Sequence, residues 1–247
     1  DEFEVLYDDF NSMTEELAST EMLKKDFVSN VSHELKTPIA VIQNYATILQ
    51  SEALSQEERQ EYTQRIGDAS MQLSGLISNI LQISRLENQK VAPKCRPYNL
   101  SEQLCRCILG YEQILEEKDI DLETLLDQTI MVNSDESLLD IVWNNLISNA
   151  LKFTEPGGRV QIETLATDGC IRVSVSDSGC GIDAQSLKHI FDKFYQADTS
   201  HATKGNGLGL AMVKEITELH GGKVSVESKA GQGSCFTVTL SCRAENS

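Results

Sequence analysis

The chain has 247 residues, which is longer than most single domains, so we expect two domains with at least one sizeable core. Its 21 basic and 38 acidic residues give a formal charge of −17, which disfavours nucleic-acid binding because any attraction to phosphates would have to be local. Seven cysteines without a paired CxxC spacing disfavour a disulfide framework and a zinc site, and they favour a reducing compartment.

The first predicted helix carries an apolar repeat with alternating gaps of three and four residues, which is typical of a coiled coil. The repeat consists of Phe3, Leu6, Phe10, Met13 and Leu17. After a change of phase it continues through Leu23, Phe27, Val31 and Leu35. This pattern predicts one long helix that ends near Gln50 and is locally unwound where the phase changes.

A second helix is predicted after the turn 51–55, where a serine is followed by an acidic first turn. Its apolar positions step by four and three residues without a break through Tyr62, Ile66, Ala69, Leu73, Leu76, Ile80 and Ile83. This helix can pack antiparallel against the first as a long helical hairpin. Because a hairpin of two helices leaves an apolar seam exposed, the sequence predicts a dimer that forms a four-helix bundle.

Residues 89–98 are predicted to be a linker, because the helical pattern stops there and Pro93 and Pro97 prevent a helix from continuing. In the domain that follows, helices are predicted over 100–117, 135–153 and 208–220, and strands near 119–123, 129–132, 159–166, 170–177, 223–228 and 234–240. Short turns join the late strands into antiparallel hairpins. The second domain is therefore predicted to be an α+β sandwich with helices on one face.

In the first helix, the segment SHELKTP places His33 beside Glu34 and one helical turn before Thr37. A solvated surface histidine explains that segment equally well, so the second domain has to decide. There, Asn145 and Asn149 share one face of the helix 135–153, and Lys152 lies close by. Amide oxygens suit Mg²⁺ and a lysine suits phosphate, whereas a chance pair of asparagines on a polar face is the alternative.

Two glycine-rich turns complete the candidate site. The turn DSGCGI at 177–182 puts a carboxylate at the end of a strand, before glycines that let a flat ligand approach the backbone. The turn GNGLGL at 205–210 opens a helix, so its backbone N–H groups and the positive helix end point at an anion. An aromatic cluster lies between the two turns and comprises Phe191, Phe194 and Tyr195.

Taken in order, SHELKTP, the NxxxNAxKFT helix, DSGCGI, FDKF and GNGLGL resemble the H, N, G1, F and G2 boxes of sensor histidine kinases, and GQGSCF resembles the glycine turn before the last strand. The opening DEFEVLYDDFNSMTEEL is similar to the second helix of a HAMP signalling domain. The resemblance covers the chain almost end to end. It implies a HAMP helix and coiled-coil connector at 1–20, a dimerisation and histidine phosphotransfer domain at 21–88, the linker at 89–98, and a catalytic domain of the Bergerat (GHKL) ATP-binding type at 99–243.

The resemblance implies three catalytic residues. His33 would accept the γ-phosphoryl group of ATP on Nε2, and Glu34 would accept or orient the proton on the other ring nitrogen. Thr37 belongs to a segment that resembles the ExxT phosphatase motif of the family, with support of the helix before Pro38 as the alternative.

The resemblance also implies an ATP and Mg²⁺ site. Asp177 would accept a hydrogen bond from the adenine amine, Asn149 and Asn145 would hold Mg²⁺, and Lys152 would contact phosphate. Residues 192–205 would form the ATP lid, in which either Lys193 or Lys204 reaches the γ-phosphate. The remaining nucleotide contacts would be Gly179, Gly181, Ile182, Phe194, Gly205, Gly207, Leu208 and Gly209.

The expected partners are a second copy of the chain and a separate response regulator, since nothing in the sequence resembles a receiver domain. No apolar run approaches the roughly 20 residues that span a bilayer. The resemblance to sensor kinases implies the cytoplasmic portion of a membrane-anchored bacterial receptor. Two alternatives remain: an ATPase of the gyrase type, disfavoured by SHELKTP, and an adaptor that dimerises and binds nucleotide without catalysis.

Overall fold

A computed structural model describes residues 27–51, 54–87, 92–127, 129–167, 169–196 and 205–241. The predicted HAMP helix and connector at 1–20, the seam residues up to Leu23 and the lid residue Lys204 lie outside the described residues. The chain divides into two compact units, Asp1–Ile80 and Leu81–Ser247. In the described ranges, none of the helices has the length and apolar content of a bilayer-spanning segment.

The first unit contains a hairpin of helix α1, residues 27–48, and the greater part of helix α2, Gln56–Glu87. The Arg59 guanidinium holds the turn by donating to the carbonyl oxygens of Leu49 (3.3 Å) and Ser51 (2.8 Å). The Ser55 hydroxyl accepts from the Glu58 N–H, and the Ser55 N–H donates to the Glu58 carboxylate. This reciprocal capping box fixes the start of α2 and lowers the pKa of Glu58.

The predicted inward face of α2 is confirmed. Ala69, Leu76 and Ile83 are buried, and the other predicted positions are half-buried, namely Tyr62, Ile66, Leu73 and Ile80. Tyr62 stacks on Tyr45 of α1 with ring centroids 5.2 Å apart. The hairpin also exposes apolar side chains of Val28, Ile39, Met71 and Ile77.

The second unit combines helices with two sheets. Its strands are β1 (Arg96–Asn99), β2 (Asp121–Leu125), β3 (Met131–Ser134), β4 (Arg159–Thr167), β5 (Cys170–Asp177), β6 (Lys223–Ser228) and β7 (Ser234–Ser241). Its helices are α3 (Leu100–Leu109), α4 (Glu112–Glu117), α5 (Glu136–Phe153) and α6 (Gly209–Leu219), with a 3₁₀ turn at Ser186–Lys188.

The strands form a small sheet of β1 and β3 and a five-stranded sheet in the order β2-β4-β5-β7-β6. Strands β2 and β4 are parallel, and the other neighbours in the larger sheet are antiparallel. The predicted hairpins β4–β5 and β6–β7 are confirmed. Side chains alternate between buried and less buried along β5 and β7, and α5 and α6 contact these strands, as predicted for an α+β domain with helices on one face.

The core of the second unit is built around Trp143 of α5, whose side chain is fully buried. Its indole N–H donates to the amide oxygen of Gln103 (3.1 Å), and the Gln103 amide nitrogen donates to the carbonyl oxygen of Glu136 (2.7 Å). The polar groups of Trp143 and Gln103 are therefore paired, which removes the cost of burying them.

Two boundaries differ from the sequence predictions. The single helix predicted over 100–117 is two helices, because Gly110 ends α3 and its N–H bonds back to the carbonyl oxygens of Arg106 (3.3 Å) and Cys107 (3.2 Å). The end of the stretch predicted to be the linker forms β1. Pro97 is compatible with this position because β1 belongs to a sheet of only two strands, where one side needs no N–H donor.

Candidate active site

The predicted phosphorylation segment lies on α1 in the first unit. His33 and Thr37 are exposed, Glu34 is half-buried and Pro38 is buried. The Thr37 hydroxyl donates to the carbonyl oxygen of His33 over 3.4 Å, so the hydroxyl and the imidazole lie one turn apart on the same face of α1. An exposed imidazole on a helix is open to a phosphoryl donor and to a docked partner.

Helix α5 carries the predicted Mg²⁺ and phosphate residues, and its start is fixed by Asp135. The Oδ1 atom of Asp135 accepts from the N–H groups of Ser137 (3.1 Å) and Leu138 (3.2 Å), and Oδ2 accepts from the N–H of Lys94 (2.8 Å). A carboxylate at the positive end of a helix satisfies unpaired N–H groups and is stabilised by the helix dipole.

Asn145 and Asn149 are both half-buried on α5, but their amides differ in their contacts. The Asn145 amide nitrogen donates to the carbonyl oxygen of Ile141 (2.7 Å), and among the described residues its Oδ1 atom accepts no hydrogen bond. That oxygen faces Gly209, where a Cβ atom would overlap it. In the part of the chain that the structure describes, the Asn149 amide has no hydrogen-bond partner. Both amide oxygens are therefore available to a hard cation.

Lys152 lies one turn beyond Asn149, near the end of α5. Burial lowers the pKa of its ammonium group, whose Nζ atom lies 4.7 Å from the centroid of the Phe153 ring. A Cβ atom on Gly205 would lie 2.8 Å from the same Nζ atom. The Lys152 ammonium group therefore lies beside the glycine-rich segment that precedes α6, and a phosphate bound there would favour its charged form.

Asp177 ends β5, and its carboxylate is held by the turn that follows. The N–H of Gly179 donates to Oδ1 of Asp177 (2.9 Å). Burial raises the pKa of Asp177, although hydrogen bonds from Gly179 and Ser234 oppose the shift. Gly179 packs against the carbonyl oxygen of Phe153, leaving no room for a side chain, so the turn after β5 and the end of α5 are in direct contact.

The rest of the turn 177–182 is held by the hairpin β6–β7. The Ile182 N–H donates to the Ser228 hydroxyl (2.8 Å), and that hydroxyl lies 2.8 Å from the carbonyl oxygen of Gly233. Gly181 has φ +66° and packs against the Lys229 carbonyl, so it cannot carry a side chain without strain. The sequence did not single out Ser228, because a lone serine at a strand end carries no pattern.

The two ends of the predicted lid lie together. The Phe194 N–H donates to the carbonyl oxygen of Gly207 (2.9 Å), and the Gln196 amide donates to the carbonyl oxygen of Gly205 (3.1 Å). Phe194 has φ +64°, a left-handed conformation that is unusual for a residue with a bulky side chain. Lys193 is half-buried in this segment, whereas its alternative, Lys204, lies outside the described residues.

The second unit thus brings together the end of α5, the turn after β5 and the start of α6, where the buried Leu208 precedes Gly209. The site joins amide oxygens, a lysine, a carboxylate and backbone N–H groups. In the described ranges, no three His, Cys, Asp or Glu side chains form a metal-binding cluster. On α5, the two asparagines offer amide oxygens to a cation.

Comparison with known families excludes one of the two alternatives, the ATPase of the gyrase type. Residues 23–89 match the His Kinase A (phospho-acceptor) domain, HisKA, and residues 134–244 match the family HATPase_c, "Histidine kinase-, DNA gyrase B-, and HSP90-like ATPase". The chain belongs to the sensor histidine kinases. The phospho-acceptor match removes the gyrase-type reading, because that reading accounts for the second unit alone.

Among curated relatives of this histidine kinase chain, the heme sensor protein HssS of Staphylococcus saprophyticus is 35% identical over 97% of the chain and 51% of the relative. The sensor-like histidine kinase SenX3 of Mycobacterium tuberculosis is 31% identical over 90% of the chain and 55% of the relative. The chain spans about half the length of these curated relatives.

Two solved histidine kinase structures resemble the chain over most of its length. Full-length ShkA in complex with AMPPNP has a TM-score of 0.66 at 28% identity, over 86% of the chain and 44% of ShkA. ThkA in complex with the response regulator protein TrrA has a TM-score of 0.73 at 24% identity, over 90% of the chain and 63% of that structure. The predicted fold class, a helical hairpin followed by an α+β ATPase domain of the GHKL type, is confirmed.

Proposed function

We propose that this chain transfers the γ-phosphoryl group of ATP to Nε2 of its own His33 and then to an aspartate of a separate response regulator. The observation that carries the proposal is the exposed imidazole of His33 on α1, in a chain whose second unit assembles Asp177, Asn145 and Lys152 beside glycine-rich backbone. The complex of ShkA with AMPPNP supports a nucleotide at this site, and that of ThkA with TrrA supports the partner.

The second unit positions the nucleotide. Asp177 accepts the adenine amine, while Gly179 and Gly181 let the base approach the backbone. Lys152 and the N–H groups around Gly207 and Gly209 hold the phosphates, with Lys193 or Lys204 completing the lid. Phosphoryl transfer needs mainly alignment and charge neutralisation, and these groups supply both.

In the transfer step, the unprotonated Nε2 atom of His33 attacks the γ-phosphorus. The N–P bond forms as the bond from phosphorus to the β,γ-bridging oxygen breaks, and ADP leaves with that electron pair. Glu34 accepts or orients the proton on Nδ1.

The residues present fit Mg²⁺, because Asn149 and Asn145 each offer an amide oxygen and Mg²⁺ prefers oxygen ligands. Mg²⁺ bound there with the triphosphate would neutralise the charge that develops on the phosphate oxygens. Asn149 is the stronger candidate, since its whole amide is unengaged within the described chain.

The exposed apolar residues of the hairpin support a homodimer. Val28 (62% exposed), Met71 (67%) and Ile77 (44%) lie in solvent in a single chain, and a four-helix bundle of two hairpins buries such side chains. From the resemblance of the opening sequence to a HAMP helix, we also propose that residues 1–20 act as the end of a HAMP domain and a connector, and that the chain is the cytoplasmic portion of a membrane-anchored receptor.

A second activity, removal of phosphate from the response regulator, is favoured by the placement of Thr37. Its exposed hydroxyl lies one turn from His33, so a receiver domain docked with its phospho-aspartate near His33 also brings that phosphate near Thr37. A hydroxyl can hold a water in line for attack without ionising.

Incubation with Mg²⁺ and ATP labelled on the γ-phosphate tests the main proposal. We expect label on the chain in an acid-labile, base-stable linkage. His33→Gln abolishes labelling but keeps ATP binding, and Asn149→Asp weakens both because it adds charge beside the triphosphate. ATP binding without label on the wild-type chain would support the adaptor, and labelling of His33→Gln would show that another residue is the acceptor.

A further inference from the structure

The side chain of Lys118 caps the C-terminal end of α5, although Lys118 is distant from that helix in the sequence. It follows α4, and its Nζ atom lies within hydrogen-bond distance of three carbonyl oxygens, those of Leu151 (2.8 Å), Lys152 (3.2 Å) and Thr154 (2.9 Å). An ammonium group has three N–H donors, so this lysine is fully engaged. None of the sequence motifs includes it.

The last turn of a helix needs such a partner, because no N–H group of the helix itself donates to its final carbonyl oxygens. In α5 the Ala150 carbonyl is satisfied by the N–H and the hydroxyl of Thr154. The carbonyls of Leu151 and Lys152 depend on Lys118. A cation at this end also opposes the partial negative charge of the helix terminus.

The segment around Lys118 also fixes the loop that follows α5. The Lys118 carbonyl oxygen accepts from the N–H of Gly157 (2.9 Å), and the Asp121 N–H donates to the carbonyl oxygen of Gly158 (2.8 Å). The pairing of β2 with β4 begins at Asp121 and Arg159. The end of α5 is therefore attached to the α4–β2 segment through both the side chain and the main chain of Lys118.

We propose that Lys118 is a positioning residue of the nucleotide site: it sets the last turn of α5 and, through it, the orientation of Asn149 and Lys152. The proposal rests on the assignment of Asn149 and Lys152 to Mg²⁺ and phosphate. Lys118 acts without touching the nucleotide, since its three donors are already bound to carbonyl oxygens.

The test variant is Lys118→Met, which keeps the length of the side chain but removes the donors and the charge. It is compared with Lys118→Arg and with the control Lys223→Met, since Lys223 is an exposed lysine at the start of β6. Loss of a residue that orients a ligand-binding group typically weakens binding about tenfold, and we expect that increase in the Kd for ATP with Mg²⁺ in Lys118→Met. The Kd for adenosine, which has no phosphate for Lys152 to contact and depends on Asp177, stays near the wild-type value. Lys118→Arg recovers most of the affinity, and Lys223→Met behaves as wild type.

Equal weakening of ATP and adenosine binding in Lys118→Met, or no weakening of either, overturns the proposal. Hydrogen exchange of the N–H groups of Lys152, Phe153 and Thr154 gives a second test that needs no nucleotide. We expect faster exchange in Lys118→Met than in Lys223→Met, and unchanged exchange also overturns the proposal. A wild-type chain that fails to bind ATP would instead remove the proposed function, while the exchange result would still judge Lys118.

Discussion

Gly209, the first residue of α6, lies against the amide oxygen of Asn145 on α5, and the contact leaves no room for a Cβ atom. Gly209→Ala therefore has to push aside an amide whose nitrogen is bound to Ile141. We expect a weaker affinity for ATP with Mg²⁺, measured by titration calorimetry, by about tenfold. Gly75→Ala on α2 is the control, since a Cβ there meets nothing within 4 Å. Gly75→Ala should leave ATP binding unchanged and stabilise the helix by up to about 1 kcal/mol. A change of ATP affinity in Gly75→Ala, or an unchanged affinity in Gly209→Ala, would contradict this prediction.

Burial of Asp177 predicts a pH dependence of ATP binding. Because burial raises the pKa of this carboxyl, it takes up a proton at a higher pH than the ordinary value of about 4. A protonated carboxyl is a poorer acceptor for the adenine amine, so ATP affinity falls as the pH drops through that raised pKa. Asp177→Asn should bind more weakly at neutral pH and lose this acid limb. An acid limb of the same shape in the variant would assign the titration to another group.

The same shift predicts the direction of a stability change. A carboxyl whose pKa is higher in the folded chain than in the unfolded chain stabilises the folded state most at a pH below its unfolded pKa. This stabilisation is lost as the pH rises through the folded pKa. At neutral pH, ionised Asp177 therefore costs stability in the nucleotide-free chain. Thermal unfolding without nucleotide should show Asp177→Asn above wild type at pH 7, with the difference shrinking as the solution is acidified. A lower melting temperature for the variant at pH 7 would contradict the assignment.

Dimerisation is tested by two substitutions that differ in burial. Leu73 is half-buried in the hairpin, so Leu73→Asp places an unpaired carboxylate there at a cost of several kcal/mol and should disrupt both the hairpin and the dimer. Ile77 is 44% exposed in the single chain, so Ile77→Asp should dissociate the dimer while circular dichroism keeps its helical signal. Gln72→Asp, on an exposed position of α2, is the control. A sedimentation profile that stays dimeric for Ile77→Asp would place the interface elsewhere.

Thr37→Ala should separate the two proposed activities. Removing the hydroxyl leaves autophosphorylation of His33 nearly intact, because the helix keeps its backbone and the lost hydrogen bond is long, at 3.4 Å. Dephosphorylation of a receiver domain that accepts phosphate from the chain should slow by about tenfold or more. Thr37→Ser retains a hydroxyl and should keep most of this activity. If autophosphorylation fell in parallel in Thr37→Ala, the residue would be supporting the helix before Pro38.

Cysteine reactivity gives a prediction that is independent of function. Burial, with the charge and hydrogen bond of Asp140, raises the pKa of Cys107 to about 12, so the thiolate that reacts with alkylating agents is scarce at pH 8. Cys105, two residues earlier on α3, is exposed. Peptide mass analysis after brief alkylation should find Cys105 modified and Cys107 intact until the chain is unfolded. Equal rates would mean that α3 opens readily.

The long periodic elements could be predicted from the sequence because a helix that buries one face needs apolar residues every three or four positions, as on α2. The hairpins of the second unit were predictable because glycine turns separate strands of fitting length. The break at Gly110 was missed, since isolated glycines also occur inside helices and the choice depends on tertiary packing. Lys118 was missed because the carbonyls that it caps lie 33 to 36 residues away in the chain.

The buried indole of Trp143 is an intrinsic fluorescence probe for the unfolding of the second unit. It is the one tryptophan in the sequence, and it lies on α5, the helix that also carries Asn149 and Lys152. When this tryptophan is excited selectively, its fluorescence reports the unfolding of the second unit and not that of the helical hairpin. The melting of the hairpin is detected by circular dichroism. The two signals recorded during one unfolding experiment therefore distinguish a chain that melts as one cooperative body from one whose units melt separately, without any label.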